Sequence, residues 1–159
     1  MTIIREGGPI GPIEDHMPQL QAAFEKHGVL LAYLYGSQAT GTAGALSDVD
    51  IAVLFTRGID PNERFHRLLQ LMSDLALVFG RDDVNALDLD EGSPLLNNNV
   101  RVSGRLIYCA DERERAAFAL RALQQFEDTE LIRREQNRYL REKITQGLYG
   151  HEIPIVRAR

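Results

Sequence analysis

A single cysteine, Cys109, in 159 residues excludes an internal disulfide framework and fits a reducing cytoplasm. It lies in the apolar run Leu106–Ala110 with no activating base beside it in sequence, so a packed side chain is expected there rather than a nucleophile. Long hydrophobic runs are missing too. No stretch approaches membrane-spanning length, and Met1–Gly8 lack the apolar segment of a signal peptide, so a cytoplasmic chain without membrane contact is expected. Positive charge is scarce: 18 Lys and Arg stand against 23 Asp and Glu, for a formal charge of -5. With a pI of about 5.4 there is no basic footprint, and no nucleic-acid partner is expected. Internal repeats and low-complexity tracts are absent. What is there, 44% hydrophobic and 26% charged residues, suits a globular chain with one good core.

The order of elements reads helix, strand, strand, helix, strand, helix, strand and then long helices. Residues 1–13, rich in Gly and Pro, are expected to form a flexible arm. Between His16 and His27 the residues Met17, Leu20, Ala23 and Phe24 recur at helical spacing, and Gly28 ends the helix. His16 and His27 are expected as solvated helix-end residues. The clearest helix is Pro61–Phe79, with Asp60 as cap, Glu63 completing a capping box and Gly80 as the stop. Phe65, Leu68, Leu69, Met72, Leu75, Ala76 and Phe79 form its core stripe, which leaves His66 exposed. A strand over Asp83–Leu89, a short helix around Leu95–Ser103 and a strand at Leu106–Tyr108 follow. From Glu112 the chain is helical to about Leu148, with a break near Asp128-Thr129 and a solvated face of mixed charge. The reading is one α/β domain: a core over 14–110, C-terminal helices over 111–150 packed on it, and a tail over 151–159.

The most informative spacing is Gly36-Ser37, then ten residues, then Asp48-Val49-Asp50. Seven apolar or aromatic residues, Val29–Tyr35, precede it as a buried strand, and Ile51–Phe55 follow as a second. Alternation along that second strand puts Asp48 and Asp50 on one face and Val49, Ile51, Val53 and Phe55 on the other. Two carboxylates beside a Gly-Ser turn suit a divalent metal carrying a phosphate chain. Mg²⁺ takes hard oxygen ligands, typically one or two carboxylates plus substrate phosphates. Gly36 permits close backbone approach, and the Ser37 hydroxyl and neighbouring N–H groups can hold phosphate oxygens.

Tyr35-Gly36-Ser37-Gln38-Ala39-Thr40-Gly41 and Ser47-Asp48-Val49-Asp50-Ile51 together resemble the signature of the polymerase-β-like nucleotidyltransferase superfamily, and its minimal nucleotidyltransferase family most of all. The resemblance runs from about Val29 to the last helix, with only the first motif specific. It implies an α/β (α+β) fold, a small mixed sheet flanked by helices with a helical C-terminal tail. It also implies Mg²⁺ and ATP, with Gly36 and Ser37 binding the nucleotide and Asp48 and Asp50 binding the metal. The implied reaction transfers AMP to a tyrosine of a helical HEPN-domain toxin, with this chain as the antitoxin. Homo- or hetero-oligomers both stay open.

The family's third carboxylate falls at Asn85 when its pattern is laid on Val84–Leu89. An amide offers a neutral oxygen but no charge and no base. Asp83 shares strand parity with Asn85 and is the candidate compensating carboxylate, while Asp88 reads as a strand-end surface residue. Two other readings stay open beside the transferase. One is a binding module that silences a helical partner by contact, its site weakened by Asn85. The other is a small-molecule nucleotidyltransferase of the aminoglycoside type.

Overall fold

The apolar run Val29–Tyr35 forms strand β1, and Val49–Phe55 forms β2, as their branched and aromatic side chains favour. The computed structural model describes residues 9–147. β1 and β2 pair antiparallel from Val29 opposite Phe55 to Tyr35 opposite Asp50. β3 (Val84–Asp88) runs parallel to β2, and β4 (Arg105–Cys109) runs antiparallel to β1. The sheet order is therefore β3-β2-β1-β4, with β1 and β2 in the centre.

Helices cover both faces of the sheet, which is why its central strands are apolar on both sides. On one face lie α1 (Met17–Lys26) and α3 (Pro61–Phe79), with the one-turn helix α2 (Ser37–Thr40) between β1 and β2 in the chain. There Leu20, Phe24, Leu71 and Leu75 meet Val49, Ile51, Val53 and Phe55. On the other face α4 (Pro94–Ser103) and α5 (Glu112–Asp128) bring Val100 and Phe118 against Leu31, Tyr33, Ala52 and Leu54. The four alternate residues expected on one side of β2 thus share one core. This is the mixed α/β sheet and helix arrangement that the sequence implies.

α3 is capped as expected at both ends: the Asp60 carboxylate accepts from the Asn62 and Glu63 N–H groups, and Gly80 closes it at φ +65. Glu63 does not complete the box, because its carboxylate accepts from Arg67 Nε at 2.9 Å. The stripe also divides. Leu75 is fully buried, and so is Leu71, which the stripe did not include, whereas Leu69 is exposed and Phe65 is 58% exposed, lining a cleft of about 690 Å³ between α3, β3 and α4.

Two polar residues correct the sequence reading. His27 is buried, not solvated: its Nε2 lies 2.7 Å from Asp74 Oδ2 on α3, and Lys26 donates to the same oxygen. Asp88 is buried as well, 3.1 Å from Arg64 Nε and accepting the Asp90 N–H at 2.9 Å. Both partners come from distant or turned segments that periodicity does not display.

The arm expected over 1–13 lies outside the described residues as far as residue 8. Beyond it, Ile10 N–H donates to Gln38 Oε1 at 3.4 Å and Ile13 is buried. The expected tail, 151–159, lies wholly outside them. The C-terminal helices break at Thr129, where α6 (Glu130–Thr145) begins, and α6 buries none of its side chains. Among the described residues, no helix is long and apolar enough to cross a membrane.

Leu75→Ala should lower stability by about 2–5 kcal/mol through lost burial and the cavity left behind. Leu77→Ala, at a position 76% exposed on the same helix, should stay within about 0.5 kcal/mol. Equal midpoints for the two variants in urea would show that α3 faces the sheet differently.

Candidate functional site

β1 ends at Tyr35, and Gly36 then turns the chain with φ +68 and ψ -152, a conformation essentially confined to glycine. A Cβ on Gly36 would stand 3.0 Å from Asp50 Oδ2. The backbone of the turn therefore passes directly against the carboxylate; the conformation requires glycine, and any Cβ there would press on the Asp50 side chain. The Gly36 carbonyl then accepts the Ala39 and Thr40 N–H groups at 3.2 and 3.3 Å, which sets the single turn of α2. Between α2 and β2 the loop is closed by Ser47, whose Oγ accepts the Gly44 N–H at 2.8 Å.

Asp50 is half-buried on the face of the sheet that carries Ala52 and Leu54. Asp48 is exposed and lies one residue before β2, not within it as the alternation reading had it. The reason lies in its neighbours' backbone. The Ser47 carbonyl is taken by Arg81 Nη2 at 2.7 Å and the Asp48 carbonyl by Gln38 Nε2 at 3.3 Å. Tyr35 faces Asp50 across the β1–β2 pair. Its phenol is pushed up to about 12, first by burial and then by the Asp50 charge.

Asn85 stands opposite Asp50 in the parallel β2–β3 pairing, and its Nδ2 donates to Asp50 Oδ1 at 3.2 Å. Asn85, expected at the third carboxylate position, is thus hydrogen-bonded to Asp50, an expected metal ligand. Asp83 sits one residue before β3 with its carboxylate gripped by Arg81 Nε and Nη2. Arg81 itself is buried, and its guanidinium is held further in the charged form by the Asp83 hydrogen bond, against desolvation, with Asp48 and Asp82 adding to the effect. Sequence reasoning assigned no role to Arg81 or to Gln38. The only signal was an Arg-x-Asp placed directly after the Gly80 helix stop.

The donor set fits a magnesium ion that carries a phosphate chain: two carboxylates, a glycine turn with no Cβ in the way, and an amide. Among the described residues no three His, Cys, Asp or Glu side chains gather into a metal site. An all-protein cage is therefore not what this site offers, in keeping with an ion that takes its other ligands from water and phosphate. Cys109 plays no part. It is partly buried in β4, and burial, then the neighbouring Glu112, pushes its thiol up and away from the reactive thiolate.

The Polymerase beta, Nucleotidyltransferase family profile matches residues 18–113, more than half of the chain, and the chain belongs to that family. It is 28% identical over 127 residues to the protein adenylyltransferase MntA of Shewanella oneidensis, covering 80% of this chain and 81% of that protein. A crystal structure of a toxin–antitoxin with AMP-PNP has the same fold, with a TM-score of 0.65 and 24% identity over 78% of this chain and 97% of the other. So does a complex of tri-AMPylated Shewanella oneidensis HEPN toxin with MNT antitoxin, with a TM-score of 0.60 and 21% identity over 81% and 98% of the two chains.

Gly36→Val should abolish ATP binding, because the branched side chain meets Asp50 and the backbone can no longer hold φ +68. Calorimetry on the folded variant checks this. Unchanged ATP affinity would show that the turn serves something other than phosphate.

Proposed function

We propose that the chain is a Mg²⁺-dependent nucleotidyltransferase that takes AMP from ATP and attaches it to a tyrosine of a helical HEPN-type toxin, acting as that toxin's antitoxin. The observation that carries this reading is the contact of the Gly36 turn with Asp50, with Asn85 bonded to the same carboxylate. The likeness to a protein adenylyltransferase over four-fifths of both chains supports the donor and the acceptor class.

Gly36 and the Ser37 hydroxyl would bind the triphosphate, and Asp48 and Asp50 would hold the magnesium ion. Such an ion, held by Asp48 and Asp50, would supply neutralisation of the phosphate charge. The chain's contribution is positioning: a rigid glycine turn, a half-buried carboxylate held by a neighbour's amide, and an exposed one on an anchored loop. Asn85 adds no negative charge and accepts no proton from the attacking hydroxyl, so the reaction runs with one carboxylate fewer than the family pattern. That same residue favours a second reading, an antitoxin that silences its partner by contact with little chemistry.

Asp48→Asn combined with Asp50→Asn should abolish transfer while the fold persists, since two like charges are relieved. Intact-mass analysis of the co-purified partner checks this, native protein adding one nucleotide monophosphate and the double variant none. Undiminished labelling by the double variant would sink the assignment.

Asn85→Asp should raise transfer steeply, because a base and a ligand charge return together and general-base participation alone is worth about 10²–10⁴-fold. No transfer by either form, with the partner still bound and silenced, would establish the contact reading instead.

A further inference from the structure

Arg81 is only 4% exposed, although it carries a full charge that is costly to bury unless paired. Its backbone is fixed by the end of α3, where its N–H donates to the Ala76 carbonyl at 3.1 Å behind the Gly80 cap. Its side chain grips Asp83 in a two-point pair and also donates to the Ser47 carbonyl at 2.7 Å. The Asp83 carbonyl in turn accepts the Val49 N–H at 3.0 Å, and Gln38 Nε2 donates to the Asp48 carbonyl at 3.3 Å. Peptide groups on both sides of Asp48 are therefore tied to the Arg81–Asp83 unit, while the Asp48 side chain stays exposed. A pair that served only to join α3 to β3 would be complete at Asp83. A further bond goes to the Ser47 carbonyl, in the peptide that leads into Asp48.

We infer that Arg81 is a positioning residue for nucleotidyl transfer: gripped by Asp83, it fixes the Ser47–Asp48 peptide and so sets the Asp48 carboxylate relative to Asp50. This rests on the transferase reading of the site. It also gives Asp83 its role, which is to hold the arginine and not to bind the metal.

The test uses the full chain carrying Arg81→Met, Arg81→Lys, Asp83→Asn and the Arg81→Met/Asp83→Asn pair. Three quantities are read: thermal unfolding, kcat and KM for ATP with the helical acceptor, and Mn²⁺ binding in the presence of AMP-PNP by electron paramagnetic resonance. Arg81→Met should lower kcat by about 10²-fold with KM for ATP little changed, as expected when a reacting group is misplaced rather than removed. Its Mn²⁺ affinity should fall by about tenfold, the usual effect of losing a group that orients a metal ligand. Arg81→Lys should recover part of both, because a single ammonium can reach one of the two partners but not bridge them. The double variant should be no worse than Arg81→Met, since Asp83 acts through the arginine. Native kcat and Mn²⁺ affinity in folded Arg81→Met would overturn the inference, and so would full additivity of the two substitutions. If Arg81→Met does not fold, native rates in both Asp83→Asn and Arg81→Lys overturn it equally. A native chain that transfers no nucleotide sinks the transferase reading alone. The Mn²⁺ titration then decides the clamp: weaker binding in the variants supports it and unchanged binding overturns it.

Discussion

The register of β2 between its two neighbours is the constraint on which the site depends. Asp50 faces Tyr35 across one ladder and Asn85 across the other. Side chains alternate along a strand, so a slip of one residue would carry Asp50 to the face of Val49, Ile51, Val53 and Phe55. That face is fully buried against α1 and α3, and an unpaired carboxylate there would be expelled. Hydrophobic packing thus holds the carboxylate in place. The same pairing that builds the core brings Asp50 under the Gly36 turn and beside the Asn85 amide.

Buried polar side chains are handled differently around the site than within it. His27, Arg81 and Asp88 are all buried, and each has a partner: Asp74, Asp83 and Arg64. Burial pushes the Asp88 carboxyl up, opposed by the Asp90 N–H and by Arg64. Hydrogen bonds from Lys26 first and His27 second pull the Asp74 carboxyl down. Arg64–Asp88 ties α3 to β3, and His27–Asp74 ties the end of α1 to α3. At the site itself the carboxylates point outward, Asp48 exposed and Asp50 half-buried, where a cation and its waters can reach them.

Asn85 shapes what the site can do. A carboxylate there would stand directly opposite Asp50 and repel it unless a cation lay between them. The amide instead donates to Asp50.

Much of this was legible in the sequence, because it is local. Apolar runs and a period of 3.6 placed β1, β2 and α3, Asp60 and Gly80 marked the ends of that helix, and the Gly36-Ser37 to Asp48-Val49-Asp50 spacing singled out the Gly36 turn that passes against Asp50. The tertiary structure decided the rest. Contacts between residues far apart in sequence made His27 and Asp88 buried partners instead of surface residues, turned Phe65 toward a cleft, and left α6 without a buried face. Arg81 is the sharpest case. Nothing in an Arg-Asp-Asp string reveals that its guanidinium reaches a carbonyl 34 residues earlier, because that bond exists only once α3 has packed and β3 has paired with β2. Local pattern chose the elements and the reactive residue types. Only the assembled sheet, through its register, decided which of them stand within bonding distance.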